Sequence, residues 1–327
     1  MRRAVYVLCI AVLWAPGAWS DKKPRAVAAT RTQAIVARDG VAFVGQGGGL
    51  VLRDVTDPTR PRDLGWLSLP TTVLDVALDG DHAFLAAGTR GLVIADISDP
   101  SEPREVARLD TDGKAKRVVR AGKYAYLADG VNGLLVIDVS TLDDPRVVAR
   151  ISTSGDVRAV AVSGESLAIA EAHGGARVFS LRRGDNPRES RHLDTEFAAR
   201  DVCWIGDRLF VAAGGDGIAV YEPKTSSRPK RFLEGIRSAQ HVACSDPLLA
   251  VSNLGSALQL FAAGEDGAMG EVSRKRVHRT SPIGRASFDG SRLWIAADIA
   301  GMGLFDLTDP GAPEHILPRQ RDFNLKF

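Results

Sequence analysis

Val76-Ala77-Leu78-Asp79-Gly80-Asp81-His82-Ala83-Phe84-Leu85-Ala86-Ala87-Gly88-Thr89-Arg90-Gly91-Leu92-Val93-Ile94-Ala95-Asp96 returns 42 residues later as Val118-Val119-Arg120-Ala121-Gly122-Lys123-Tyr124-Ala125-Tyr126-Leu127-Ala128-Asp129-Gly130-Val131-Asn132-Gly133-Leu134-Leu135-Val136-Ile137-Asp138. The unit is an apolar strand, a glycine, a second apolar strand, a Gly-rich turn and a third apolar strand. It recurs at the same step as Val160–Ser180 and Val202–Glu222, and with small length changes as Val36–Asp54, Val242–Ala262 and Ala286–Asp306, which makes seven copies. A fixed period of this kind outranks any local reading, because each unit can bury its apolar faces only against its neighbours.

Each copy predicts four short strands rich in Val, Ile and Leu and bounded by Gly, Asp and Pro. The first is Asp75–Leu78 or Asp201–Trp204, the second His82–Ala86 or Tyr124–Leu127, the third Leu92–Ile97 or Leu134–Val139, and the fourth Arg104–Leu109 or Arg146–Ile151. Gly40, Gly80, Gly122, Gly164, Gly206 and Gly290 fall between first and second strands, where a tight hairpin favours positive φ. Asp57-Pro58, Asp99-Pro100, Asn186-Pro187 and Asp309-Pro310 mark the turn after the third strand. No segment holds a helical period. Radial closure of such units leaves only short edges, so the fold expected is all-β, a seven-bladed β-propeller of four-stranded antiparallel blades over residues 34–318. A miscounted terminal unit would make it six or eight. Three segments compete to complete the ring: Pro24–Ala28 in the N-terminal segment 21–33, Pro313–Pro318, and Phe323–Phe327 in the tail 319–327.

Gly91-Leu92-Val93-Ile94-Ala95-Asp96-Ile97-Ser98-Asp99-Pro100 and Gly133-Leu134-Leu135-Val136-Ile137-Asp138-Val139-Ser140 resemble the LVIVD repeat, named for its third strand. Tyr124–Gly130 resembles the preceding hairpin. Copies four, five and six depart from the pattern, with Ser180, Glu222 and Ala262 in place of its Asp and Asp246 in place of the hairpin glycine. The resemblance implies a propeller of bacterial and archaeal secreted or surface proteins, and implies no particular activity.

The first twenty residues read as a Sec signal peptide: Arg2-Arg3, an apolar run Ala4–Trp14, Pro16-Gly17, then Ala18 and Ser20, with cleavage expected before Asp21. The run is short of the ~20 residues of a membrane span, so a mature chain without a transmembrane segment is expected in the periplasm, at the cell surface or outside. The whole chain carries a formal charge of +2, and loss of Arg2 and Arg3 leaves it neutral. Without a dense basic stripe, nucleic acid is not an expected partner. A monomer is expected.

Aligning the innermost strands places Ile35, Asp75, Arg117, Ala159, Asp201, His241 and Arg285 at one equivalent position. Five of the seven are ionisable and should ring one mouth of the central channel. Just upstream, Lys116, Arg158 and Arg200 add charge. Together they form a mixed rim suited to a polar or anionic ligand, or else a set of charges that pair with one another. The repeated Asp54, Asp96, Asp138 and Asp306 read as turn or strand-end hydrogen bonds, since a role repeated in four blades is seldom catalytic. The six histidines (His82, His173, His192, His241, His278, His315) lack metal-ligand spacing, so neither a metal nor a cofactor is expected. Asp110-Thr111-Asp112-Gly113 lacks the remaining ligands of a calcium loop and reads as a tight turn. Gly45–Gly49 opens no helix, so it reads as a hairpin rather than a phosphate loop. Cys203 and Cys244 lie one aligned position apart on the inner strands of blades five and six, on opposite strand faces. They meet if the Cys203 face turns toward blade six; otherwise they are two small core residues. Trp66, Trp204 and Trp294 are expected to pack between blades rather than stack on a sugar.

Two functions remain open. One is a non-catalytic binding or scaffold propeller of the cell envelope, recognising a protein, peptide or glycan. The other is a periplasmic hydrolase or lyase with its active site at the channel mouth, using His241 as the acid–base group, Asp75 or Asp201 as its partner, and Arg117 or Arg285 to hold an anionic substrate.

Overall fold

Residues that alternate about a strand, stop at glycine and resume as a strand fold into antiparallel hairpins, and seven such meanders stand side by side in the computed structural model. It describes residues 31–316 except 234, 237, 255–256, 265–267, 277–282 and 298–300. The expected signal segment, Pro24–Ala28, the tail 319–327 and His278 lie outside the described residues.

Blade two is Asp75–Asp79, His82–Ala86, Leu92–Asp96 and Arg104–Leu109, and blade three is Arg117–Ala121, Tyr124–Ala128, Leu134–Asp138 and Arg146–Ile151. Blades four to six begin on the inner strands Ala159–Ser163, Asp201–Ile205 and Ala239–Ser245, and all three are four-stranded meanders. In blade one, Val41–Asp54 is a single run of 14 residues between Thr32–Arg38 and Arg62–Thr72. Val55 N–H nevertheless donates to Gly40 C=O at 2.8 Å, so the run doubles back as the second and third strands do elsewhere. Blade seven is Ala286–Asp289, Arg292–Ala296, Met302–Asp306 and Glu314–His315, the last pairing with Phe305 and Asp306. The C-terminal side thus supplies its outer strand.

The inner strands touch in a closed cycle, that of blade one meeting those of blades two and seven. The core lies between blades: Ile35, Ala37, Val44 and Val51 of blade one pack on Trp294, Ala296 and Leu304 of blade seven. Interblade bridges such as Gly88 to Ala115 and Gly130 to Val157 stitch each turn to the next blade.

Two glycines of the repeat are required for different reasons. Gly122, at φ +59°, has open space where a Cβ would go, whereas Gly133, at φ +86°, would place a Cβ 2.2 Å from the Ile151 carbonyl oxygen. Gly122→Ala is expected to cost ~1 kcal/mol, the left-handed alanine alone, and Gly133→Ala ~2–3 kcal/mol. Urea unfolding of the two variants checks the order.

Candidate functional site

Because equivalent residues sit at or near the start of each inner strand, their side chains converge on the axis, and the charged ones meet there. Asp201 is fully buried. Its Oδ1 accepts the Val202 N–H at 3.0 Å and Arg117 Nη1 at 3.4 Å. Its Oδ2 lies 3.3 Å from His241 Nδ1 and accepts the Val242 N–H at 3.3 Å and Arg285 Nη1 at 3.4 Å. Asp75 accepts the Val118 N–H at 3.0 Å and sits 3.4 Å from Arg117 Nε and 3.8 Å from Arg285 Nε. Five of the eight rim residues thus form one cluster spanning blades two, three, five, six and seven.

Three of its pairs skip a blade. Arg117 reaches Asp201 past Ala159 of blade four, and Arg285 reaches Asp75 past Ile35 of blade one. The two apolar members of the ring mark two of the blades over which the guanidiniums extend, and Arg285 also reaches Asp201 past His241 of blade six. Two arginines face two aspartates, so the cluster is balanced when His241 is neutral. Burial works against the Arg117 charge, yet Asp201 and Asp75 outweigh it and hold its pKa above the ordinary value. At Asp75 burial prevails over Arg117 and pushes the carboxyl up to about 6 from 3.8.

That shift has a sign. The folded protein keeps a proton on Asp75 in a pH window where the unfolded chain has released it, so the contribution is complete below the unfolded value and lost as pH rises through about 6. Wild type is expected to gain stability relative to Asp75→Asn as pH falls from neutral toward 4, in paired urea titrations.

The upstream layer is separate. Lys116 Nζ lies 2.5 and 2.6 Å from the Asp156 oxygens, and Arg158 Nε lies 3.4 Å from the same carboxylate. Arg200 Nη1 donates to Gln240 Oε1 at 3.2 Å. Asp156 lies outside the aligned column, in the segment leading into the inner strand of blade four, and Gln240, uncharged, stands in blade six at the position of Lys116, Arg158 and Arg200. A cleft of about 480 Å³ also opens on this side, lined by Arg31, Gln33, Thr71, Thr72, Thr89 and Lys114 among others. Its residues come from the start of the first inner strand, the stretches leading into those of blades two and three, and the turns between second and third strands.

Elsewhere the repeated aspartates close turns: Asp54 Oδ1 accepts Thr56 N–H and Oγ1 at 2.9 and 2.6 Å, and Asp138 and Asp306 do the same with Ser140 and Thr308. In the loop read as a tight turn, Thr111 donates to buried Asp129 at 2.7 Å. Cys203 and Cys244 form a disulfide, with Cα atoms 5.8 Å apart. Trp294 is fully buried between blades seven and one, and Trp66 packs on the same cluster. Trp204 is only half-buried, against the core between blades four and five. Among the described residues no three His, Cys, Asp or Glu side chains are grouped to hold a metal ion, and no helix is long and apolar enough to cross a membrane.

The LVIVD repeat family matches residues 72–111 and 112–153, which correspond to blades two and three. No curated protein matches the chain in sequence. Among solved structures, the computationally designed Ika8 protein is similar over 85% of this chain and 96% of its own, with a TM-score of 0.64 and 11% identity. The structure of U3-55K is similar over 82% and 89%, with a TM-score of 0.68 and 15% identity. At such identities the likeness concerns the fold alone. Seven closed blades make the chain a β-propeller, two of whose blades match the LVIVD repeat.

Proposed function

We propose that the protein is a non-catalytic binding or scaffold propeller of the cell envelope, taking a protein, peptide or glycan at the channel mouth where the inner strands begin. One observation carries this reading: the charges on the axis are engaged with one another, while a cleft of about 480 Å³ lined in part by Gln33, Thr71, Thr72, Thr89 and Lys114 opens beside them. A rigid ring with a recess of mixed polarity that carries a lysine suits recognition of an acidic group at the end of a larger partner. Export fits the leader-like residues 1–20 and the Cys203–Cys244 bond, since disulfides persist in oxidising compartments.

The hydrolase or lyase reading keeps one specific support. His241 directs Nδ1 at buried Asp201, and its side chain remains 31% exposed, which leaves Nε2 for a proton transfer in the channel.

Neutralising Arg117, Asp201 and Arg285 would dismantle the buried cluster, so the test uses Lys114→Glu and Thr89→Glu. A specific envelope protein or glycan retained by the wild-type protein and lost by both variants is the expected result. Turnover of an ester, lactone or glycoside that His241→Gln abolishes at unchanged melting temperature would replace this reading with the enzymatic one.

A further inference from the structure

On the face opposite the channel mouth, where the first hairpins of the blades turn, a second cleft of about 180 Å³ lies between blades four and five. Trp204 and Val178 form its apolar part, and Ser163, Ser166, Ser190, Arg191, Asp207 and Lys224 surround them. The indole is held in place: Trp204 Nε1 donates to Ala161 C=O at 3.3 Å, across the blade boundary. Arg191 Nε donates to Pro223 C=O at 3.0 Å, and Lys224 Nζ bonds Asp207 Oδ1 at 2.7 Å within blade five.

The repeat itself marks this cleft. At the position of Trp204 the other blades carry Arg38, Leu78, Arg120, Val162, Cys244 and Phe288. Blades four and five also carry Ser180 and Glu222 where four others have the turn-closing aspartate, and Lys224 stands where those others place Thr56, Ser98, Ser140 and Thr308. In blade five the aspartate-closed turn is replaced by one in which Thr225 N–H donates to Glu222 C=O at 2.9 Å, which presents Pro223 and Lys224 to the cleft. Of the three departures at this position, Ser180, Glu222 and Ala262, two thus fall on the two blades that frame one recess.

We propose that this cleft is a carbohydrate subsite that takes one pyranose ring against Trp204. Its volume is below the ~300–1,000 Å³ of sites that enclose a drug-sized ligand, so it suits one ring of a longer chain. Sugar rings present an apolar C–H face and a girdle of hydroxyls that both donate and accept. An indole face offers the first a flat, polarisable surface. Serine hydroxyls, a carboxylate and two cations offer the second both donors and acceptors. This site is independent of the channel mouth, and failure of either reading leaves the other standing.

The test is saturation-transfer NMR on the full-length protein with methyl glycosides of glucose, galactose, mannose and N-acetylglucosamine, in wild type, Ser166→Phe and Trp204→Leu. Ser166→Phe fills the cleft from the blade-four hairpin and leaves Trp204 in place, so it decides the matter even if Trp204→Leu does not fold. Saturation of at least one ring, weakened about tenfold or more by Ser166→Phe at unchanged melting temperature, is expected. No transfer to any of the four glycosides, transfer unaffected by Ser166→Phe, or binding of a proline-rich peptide in the cleft to the exclusion of sugars would each overturn the proposal.

Discussion

Replacing Asp201 by alanine is expected to lower the free energy of unfolding by about 3–5 kcal/mol, the range for removing one partner of a buried ionic group. The side chain has no exposure and accepts from two backbone amides, two guanidiniums and the His241 ring. Its loss leaves Arg117 and Arg285 sharing Asp75 alone, and strips the Val202 and Val242 amides of an acceptor. Asp201→Asn keeps the shape and one carbonyl acceptor, so a smaller loss is expected. The cause is tested by adding Arg117→Met to Asp201→Asn. If the cost is an uncompensated buried charge, the double variant recovers part of the loss of the single one, because removing both charges is far cheaper than removing one. Urea unfolding followed by tryptophan fluorescence measures each step. A single-variant cost below about 1 kcal/mol would mean that the axis is solvated and the cluster is not structural.

The same cluster shows where sequence reasoning reached and where it stopped. The repeat, with its small length changes, puts Asp75, Arg117, Asp201, His241 and Arg285 in one column, and the structure brings all five together. A column, however, says nothing about which members touch across an axis. Pairing past Ala159 and Ile35 depends on the channel radius and on the reach of a guanidinium, neither of which is written in a linear repeat. Strand limits were readable to within a residue in blades two and three, since glycine and Asp-Pro turns bound them on both sides. In blade one, Gly47, Gly48 and Gly49 make the middle turn, and the second and third strands merge into one run. The sequence does not single out the closing segment, because a two-residue strand such as Glu314–His315 has no periodicity to detect. The departures at Ser180 and Glu222 were visible in the sequence, but their meaning appears only when blades four and five stand side by side.

Loss of the Cys203–Cys244 bond is expected to cost about 3–4 kcal/mol, from the entropy that a cross-link of this span removes from the unfolded chain. The two residues are 41 apart and join the inner strands of neighbouring blades, so the bond ties blade six to the start of blade five. Cys203 is buried among Ile205, Phe210, Val242 and Val251, with Cys244 packed on the same cluster, and alanine at either site also removes a sulfur from this core. These two contributions separate cleanly. Cys203→Ala, Cys244→Ala and the double variant should lose nearly the same stability, because either substitution abolishes the whole bond, whereas two independent core truncations would add. Reduction of the wild-type protein should approach the same value without any truncation. Peptide mapping under non-reducing conditions should recover the two cysteines linked. If instead the double variant costs the sum of the single ones and reduction costs nothing, the cysteines act as core side chains, and the disulfide's support for an oxidising compartment falls with it.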